Sequence, residues 1–285
     1  MTLPSMVRPY SRQTTLDWCA RIDQGPYVSV SAGERVNFHN QEQLVLLSAA
    51  AALTQRVRVI STISILPMHP AALIAKRAAS LDVLCNGRLV LGVGVGAREL
   101  DYVSAGASFT RRHQRLDDMV AEIRQLWRGE PPIPGADSVG PMPVRPGGPP
   151  IYSSSFGPAS LARSSRWADG YVGFTPAANP AELNAVVGTV QQAWRAAQRI
   201  EKPYLITSFW FSLGPDAVER QRAYVSDYMA YDTARQPLMI EAATITSPDA
   251  VRAAIDAAGE AGFDEVIFIP TTTDVAELDR LEALL

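Results

Sequence analysis

The feature that most restricts the fold is an alternation of short β-like runs with longer amphipathic segments along 285 residues. Several runs are apolar at both odd and even positions, as in strands buried on both faces of a parallel sheet. Eight repeats in this length favour an α/β fold of the closed (β/α)8 TIM barrel type, with residues 1–285 as one domain, over an open doubly wound sheet. The predicted strands are residues 2–7, 27–31, 57–66, 88–96, 151–156, 170–175, 204–213 and 265–270.

The segments between the strands carry the signals of helix ends. Pro70 and Pro158 fall in a first helical turn, and Gly87 lies just past a last one. One stretch breaks the pattern, because residues 129–150 hold 8 prolines and 5 glycines among 22 residues. Such a composition excludes a helix or a central strand. We predict an excursion from the barrel there rather than a linker between domains.

Charge and composition exclude several classes of function. A net charge of -3 with no basic cluster argues against nucleic-acid binding. The longest apolar-rich run, residues 44–54, is too short to cross a bilayer. Cys19 and Cys85 lie far apart and only three histidines are present, so no metal site is predicted. The N-terminal residues do not resemble a signal peptide, and we therefore expect a cytoplasmic protein.

A glycine-rich run follows the third predicted helix, with Gly92, Gly94 and Gly96 at alternate positions. Its spacing formally matches a dinucleotide-binding motif, but that motif belongs after a first strand and opens a helix directly. Here the run is the fourth strand, and we expect the next helix to begin only near Thr110. We therefore interpret it as a barrel strand whose glycines clear one face for a flat ring. The alternative is that they only relieve crowding inside the barrel.

Two segments carry a family resemblance. Residues 60–129, which include "ISTISILPMHP" and "GRLVLGVGVGARELDYV", and residues 149–174, "PPIYSSSFGPASLARSSRWADGYVGF", resemble the bacterial luciferase-like family of flavin-dependent oxidoreductases. The resemblance implies a luciferase-like barrel that holds F420 (a deazaflavin) or FMN in its mouth. It also implies hydride transfer, or oxygen activation as in a monooxygenase, on a small organic substrate. Relatives have several residues before the match to "LPSMV", so we expect a longer N-terminal form to be more stable.

The resemblance also assigns cofactor contacts. A non-prolyl cis peptide is expected at Thr62–Ile63 or one residue to either side, with Gly94, Val95 and Gly96 lining the ring or the ribityl chain. Some relatives carry an arginine where this chain has Val95. The charge of the cofactor phosphate must then be met by main-chain donors or by a cation such as Arg98.

The phosphate itself is placed by physical reasoning on the loop before the helix that starts at Pro158. A helix N-terminus offers free N–H groups and a positive dipole end, and serine hydroxyls add donors. Arg163, on the same helix, is a further cation that could meet the phosphate charge. The alternative is that Ser155 only caps the helix. The predicted phosphate site comprises Ser154, Ser155, Phe156 and Gly157.

Three residues are candidates for proton transfer. Glu34 follows the second strand and is the first choice for an acid or base, the alternative being a surface salt bridge with Arg35. His69 precedes a helix and has a structural role as its alternative. Glu99 follows the glycine strand and could bond the cofactor or hold the rim loop.

Three choices stay open. A non-redox barrel enzyme, an aldolase or isomerase, could bind a phosphorylated substrate at residues 154–160, although neither Lys76 nor Lys202 lies on a strand to form a Schiff base. F420 is slightly favoured over FMN because Arg98, Arg111 and Arg112 could meet its anionic tail. The apolar helix at residues 44–54 is compatible with a homodimer and equally with burial against the barrel.

Overall fold

The β-branched runs form parallel strands in the computed structural model, which describes residues 1–285. The strand order is β1-β2-β4-β5-β6-β7-β8, with β3 paired to β4. This nearly closed parallel barrel with helices around it confirms the predicted fold class. The strands are β1 (Ser29–Ala32), β2 (Arg58–Ser61), β3 (Ser64–Ile65), β4 (Leu89–Gly94), β5 (Ile151–Ser153), β6 (Gly170–Val172), β7 (Tyr204–Phe211) and β8 (Glu265–Pro270).

The first three residues close the ring between β8 and β1. Thr2 N donates to Phe268 O at 2.9 Å, and Leu3 N donates to Ser31 O at 2.8 Å. The predicted strand at residues 2–7 is wrong in extent, because only an isolated bridge between Thr2 and Ser31 forms. Pro4 has no N–H to continue a ladder, and the chain turns there, with Val7 N bonded to Pro4 O at 3.0 Å.

The predicted strand at residues 57–66 is divided. The Thr62–Ile63 peptide bond is cis, as expected, and it separates β2 from β3. β2 pairs with both β1 and β4, whereas β3 pairs with β4 alone. The chain therefore changes its path at the carboxyl end of this strand, where barrel enzymes carry their active sites.

Eleven α-helices and one short 3-10 helix, Leu66–Met68, surround the barrel. The side chain of Asn179 caps the helix Pro180–Ala196 by accepting from Glu182 N at 2.9 Å, and Gly262 ends the helix Pro248–Ala261 in the left-handed region at φ 96°. The helices are α1 (Arg12–Gln24), α2 (Gln43–Leu53), α3 (Ala71–Leu84), α4 (Glu99–Ser104), α5 (Arg112–Trp127), α6 (Pro158–Ser164), α7 (Pro180–Ala196), α8 (Ala217–Tyr228), α9 (Gln236–Ala242), α10 (Pro248–Ala261) and α11 (Ala276–Glu282).

The short helix α4 corrects the sequence analysis, which expected no helix before Thr110. Asp101 and Tyr102 are fully buried and anchor α4 under the rim, with Tyr102 Oη donating to Val95 O at 2.6 Å. The short helix α9 was also not predicted, and none of its residues is buried. Neither helix offers enough length for a periodic apolar pattern to stand out in the sequence.

The barrel interior is packed with side chains from successive strands. Ile60, Val90, Tyr152, Val172, Ile206 and Ile267 form one buried cluster there. A barrel filled in this way is a core and not a pore. The larger core lies between the barrel and its helices, and it contains the buried rings of Trp18 and Trp127. No helix combines the length and apolarity needed to cross a membrane.

Residues 129–150 contain no helix or strand and lie against α3. Lys76 Nζ donates to Gly140 O at 2.8 Å, and Val144 N donates to Asp82 Oδ2 at 2.9 Å. Gly148 packs on the Trp127 ring so closely that a Cβ would overlap it. The segment thus runs along the outside of the barrel.

Candidate active site

A cavity of about 620 Å³ lies at the carboxyl ends of β4 and β5. This is the face on which barrel enzymes assemble their active sites. Its walls come from the loop after β4, the loop between β5 and α6, the start of α5, and the segment that precedes α9. The lining residues are Ile63, Val95, Gly96, Ala97, Arg112, His113, Leu116, Asp117, Ser154, Ser155, Phe156, Ser160, Arg163, Ser164, Trp167, Asp232, Ala234 and Arg235.

The glycines of β4 let residues on both sides of the cis bond pack directly against the main chain of this strand. A Cβ on Gly92 would overlap the carbonyl oxygen of Ser61, and one on Gly94 would overlap the Ile63 side chain. At Gly96 a Cβ would lie 2.8 Å from Ile65 Cδ1. The face beside Gly92 and Gly94 is therefore filled by residues 61–65, not open to a ring as the sequence analysis expected. Gly94 does not line the cavity, whereas Ile63, Val95 and Gly96 do.

The serine-rich loop forms the next wall. Ser154, Ser155 and Phe156 line the cavity, and Phe156 is largely exposed. Gly157 is the N-cap residue of α6, with φ 82°, and no side chain caps this helix. Ser155 Oγ instead bonds Ser153 Oγ at 2.7 Å, so the alternative that Ser155 caps α6 is wrong. The first N–H groups of α6 are consequently left without a side-chain partner.

Basic side chains outnumber carboxylates around the cavity. Arg112, Arg163 and Arg235 line it together with Asp117 and Asp232. Arg163 donates to Asp117 Oδ2 at 2.5 Å. The guanidinium of Arg112 lies 3.7 Å above the ring of Phe109, and its Nε is buried without a partner. The excess of positive charge suits an anionic ligand.

His113 is the titratable imidazole of this cavity. Burial, followed by the charges of Arg112 and Arg163, lowers its pKa below the usual value. The imidazole is therefore neutral at pH 7, and it gains a proton more readily once an anion offsets the two arginines.

Glu34 and His69 form a close pair outside the cavity lining. His69 Nε2 lies 2.6 Å from Glu34 Oε1, and Ile65 N donates to Glu34 Oε2 at 2.5 Å. Both carboxylate oxygens are thus engaged, and the salt bridge between Glu34 and Arg35 that was weighed as an alternative is not formed. The pair fixes β3, the segment directly after the cis bond.

Two other predicted residues lie away from the cavity. Glu99 is exposed at the start of α4, and its carboxylate makes no hydrogen bond or ion pair. Arg98 does not line the cavity, and its guanidinium lies 4.1 Å above the ring of Tyr231. Thr62 and Gly157 adjoin lining residues in the chain without lining the cavity themselves.

An aromatic cluster fills the mouth on the side of β6 and β7. Trp210 is buried and packs against Phe174, with ring centroids 4.5 Å apart, and against Tyr224 and Tyr228. Partly buried apolar residues of α9, including Met239, cover this cluster. No local pattern in the sequence indicates this cluster, because its members come from segments up to about 65 residues apart.

Sequence reasoning missed the cavity residues Asp232 and Arg235 and the aromatic partners Tyr228 and Tyr231. These residues belong to the segment from the end of α8 to α9, which carries no motif. Only the folded chain brings this segment to the loops after β1 and β4.

Comparison with known proteins agrees with this geometry. The sequence profile of the luciferase-like monooxygenase family matches residues 5–265. An uncharacterized protein of Mycobacterium tuberculosis (strain ATCC 25618 / H37Rv) is 33% identical over 159 residues, 53% of this chain and 53% of that protein. The chain thus spans about half the length of the curated relatives it matches.

Two solved structures share the fold. An F420-dependent secondary alcohol dehydrogenase in complex with an F420-acetone adduct superposes with a TM-score of 0.81 at 18% identity, covering 100% of this chain and 96% of that one. A type II Baeyer-Villiger monooxygenase from Pseudomonas putida in complex with FMN gives a TM-score of 0.72 at 16% identity, covering 100% and 93%.

Proposed function

The chain belongs to the luciferase-like monooxygenase family, and on that premise we propose that it is an F420- or FMN-dependent oxidoreductase acting on a small organic substrate. The observation that carries the proposal is the cavity of about 620 Å³ between the cis-peptide segment, the β4 loop and the serine-rich loop. When bound, the flavin-type cofactor supplies the hydride chemistry or the activation of oxygen. The protein then has to bind, orient and shield the reacting groups.

The residues present fit the phosphate of such a cofactor. Ser154, Ser155 and Ser160 line one cavity together with the uncapped start of α6. Arg163 lies on the same helix and supplies a charge that Val95 lacks. We propose that these groups bind the phosphate, with the left-handed Gly157 letting the main chain approach it.

The ring side of the cavity is shaped by the main chain and by apolar side chains. Ile63, Val95 and Gly96 form this wall, and the β4 glycines hold it close to residues 61–65. We propose that the wall orients the cofactor and excludes water from one of its faces. Thr62 and Gly94 support the wall from behind.

Glu34 and His69 are positioning residues in this proposal. Both oxygens of Glu34 are bonded, one to Ile65 N and one to His69 Nε2. The pair therefore fixes β3 and, through it, the neighbouring Ile63 that lines the cavity. Glu99 has no place in the proposed site because its side chain is exposed and unpartnered.

F420 is the preferred cofactor of the two. Arg112 and Arg235 line the cavity in addition to Arg163. Three cations suit a ligand with several anionic groups, as in the F420 tail, better than they suit a ligand with a single phosphate. Hydride transfer is accordingly the preferred reaction, with oxygen activation on FMN as the second choice.

Equilibrium binding of oxidised and reduced F420 and FMN to the purified protein tests the proposal. We expect F420 to bind with a micromolar Kd and FMN to bind more weakly. The Arg163→Met variant loses a charge-assisted contact and leaves the Asp117 carboxylate with the Trp167 indole N–H but no countercharge beside the phosphate, so F420 affinity should fall about tenfold or more. Arg166→Met, which removes an exposed charge three residues further on, is the matched control. Failure of both cofactors to bind below about 1 mM contradicts the proposal.

A further inference from the structure

Two arginines from different loops meet over two tyrosines beside the cavity. Arg35 follows β1, and Arg98 follows β4. The guanidinium of Arg35 lies 5.2 Å from the ring centre of Tyr228, and that of Arg98 lies 4.1 Å from Tyr231. Phe38 stacks on Arg35 at 3.7 Å. Aromatic faces thus hold both guanidinium groups in place through cation–π contacts.

Most hydrogen-bond donors of these two groups are unused. Arg35 makes one hydrogen bond, from its Nη1 to Tyr228 O at 3.2 Å, and Arg98 makes none. The Nε atoms of both side chains are buried without a partner. Arg35 is only 8% exposed, and the Arg98 side chain is 12% exposed. Buried donors in folded proteins are nearly always paired, and each guanidinium has five N–H groups to place.

Charge is also out of balance in this cluster. The nearest carboxylate, Asp101, lies 3.9 Å from Arg98, beyond hydrogen-bond distance, and one of its oxygens accepts from Asn37 N. The facing groups from the end of α8 and the segment after it are the Tyr228 and Tyr231 rings, and Asp232 pairs with Arg235 at 3.7 Å. Two guanidinium groups therefore share one carboxylate, which leaves one positive charge without compensation. Burial and the Arg98 charge lower the pKa of Arg35, in agreement with this crowding.

The cluster adjoins the cavity along two segments of the chain. Residues 95–97 line the cavity, and Arg98 follows them directly. Asp232, Ala234 and Arg235 line it as well, and Tyr231, which is 42% exposed, precedes them. Arg98 is nevertheless absent from the cavity wall that holds Ser155 and Arg163, so the cluster offers a second anion site separate from the phosphate loop.

We propose that Arg35 and Arg98 bind a carboxylate of the substrate, so that the enzyme acts on small organic acids. The carboxylate site is inferred from the arginine cluster alone, and only the redox reaction on the bound acid rests on the proposed function. The planar fork of arginine matches a carboxylate in two parallel hydrogen bonds, and the aromatic faces around it suit a flat or apolar body attached to that group. A neutral substrate would leave both guanidinium groups unpaired.

Calorimetric titration with small carboxylates tests the proposal. The probes are benzoate, phenylacetate and hexanoate, each compared with its neutral amide. We expect at least one acid to bind roughly tenfold or more tighter than its amide. This preference should disappear in Arg98→Met, weaken in Arg35→Met, and persist in Arg222→Met, which removes an exposed arginine from α8. Arg98→Lys keeps the charge without the fork and should give an intermediate preference.

The outcomes separate this proposal from the proposed function. Equal binding of acid and amide, no binding of any acid, or a preference retained in Arg98→Met each overturns it. A carboxylate could also come from the cofactor tail, so F420 binding is measured in the same variants. Loss of F420 affinity in Arg98→Met would assign the pair to the cofactor and overturn the substrate role. Acid binding without binding of either cofactor supports the carboxylate site while contradicting the proposed redox function. Circular dichroism and thermal melts identify any variant that fails to fold. If Arg98→Met fails to fold, Arg35→Met takes its place in the test.

Discussion

Arginines at the two ends of the barrel are used differently. At the amino ends of the strands, Arg56 donates to four main-chain carbonyl groups at 2.6 to 3.2 Å. Arg88 bonds carbonyl groups of the α2–β2 region and the Thr54 hydroxyl. Arg58 bonds Tyr204 Oη at 3.0 Å and Glu265 Oε2 at 2.6 Å. These side chains tie strand starts and helix ends together.

At the carboxyl ends the pattern is reversed. Arg35, Arg98 and Arg112 each keep a buried Nε without a partner, and aromatic rings hold their guanidinium groups. Arg56, Arg58 and Arg88 thus use their donors within the fold, whereas Arg35, Arg98 and Arg112 leave donors unused. This agrees with the division of barrel proteins into a stabilising amino face and a reactive carboxyl face.

The largest expected difference between the two ends comes from removing Arg58. Glu265 keeps a side chain only 2% exposed, and Arg58→Met leaves its carboxylate with the Ser29 hydroxyl but no countercharge. Loss of one partner of a buried ion pair costs about 3 kcal/mol or more. We expect the free energy of unfolding in urea to fall by that amount, with F420 affinity unchanged in the fraction that remains folded.

Arg98→Met is the matched change at the other end. Its guanidinium makes no hydrogen bond, its ion pair with Asp101 is long at 3.9 Å, and the Arg35 charge still acts on that carboxylate, so the free energy of unfolding should change by less than about 1 kcal/mol. If Arg98→Met lowers the free energy of unfolding as much as Arg58→Met does, the arginines at the mouth also stabilise the fold. The proposed difference between the two ends of the barrel would then be contradicted.

The strands and most of the longer helices are the part of the molecule that the sequence predicts well. Strand and helix runs are set by local apolar patterning, so β4 to β8 and the longer helices from α2 onward fall within the predicted segments, whereas α1 was not predicted. The Thr62–Ile63 cis bond and the Ser154–Phe156 wall followed from family resemblance and from the logic of a helix start. Both depend on short stretches of the chain.

The mouth was harder to predict because its contacts join distant segments. Arg35 and Tyr228 are 193 residues apart, and nothing local to either residue indicates their contact. The role of Gly94 depends on the side chain of Ile63, which is supplied by the segment between β2 and β3. The sequence offered Glu34 an acid–base role or a salt bridge with Arg35, yet the fold brings Ile65 N to one of its oxygens and His69 Nε2 to the other.

A glycine substitution in β4 tests how closely this strand packs against the neighbouring chain. Gly92→Ala places a Cβ against the Ser61 carbonyl, which is main chain and cannot rotate away. Overpacking of this kind costs about 1–3 kcal/mol in unfolding free energy. Gly188→Ala is the control, because nothing lies near that helical position and the change should stabilise by about 0.5–1 kcal/mol. Urea melts in which Gly92→Ala equals the wild type would contradict the close approach of the two strands.

The smallest expected effect is a pH dependence of ligand binding at the mouth. Burial, Arg112 and Arg163 lower the pKa of His113, so the folded protein without ligand holds fewer protons than the unfolded chain just below pH 6.5. The His113 contribution to stability is therefore lost as the pH falls below that value.

An anion beside the two arginines raises the pKa of His113 again, so binding takes up a proton and tightens as the pH falls. We expect F420 affinity to rise about threefold between pH 7.5 and 5.5, measured by calorimetry. In the His113→Gln variant, the cofactor can still gain protons but residue 113 cannot. An equal rise of F420 affinity in this variant would therefore exclude His113 as the cause.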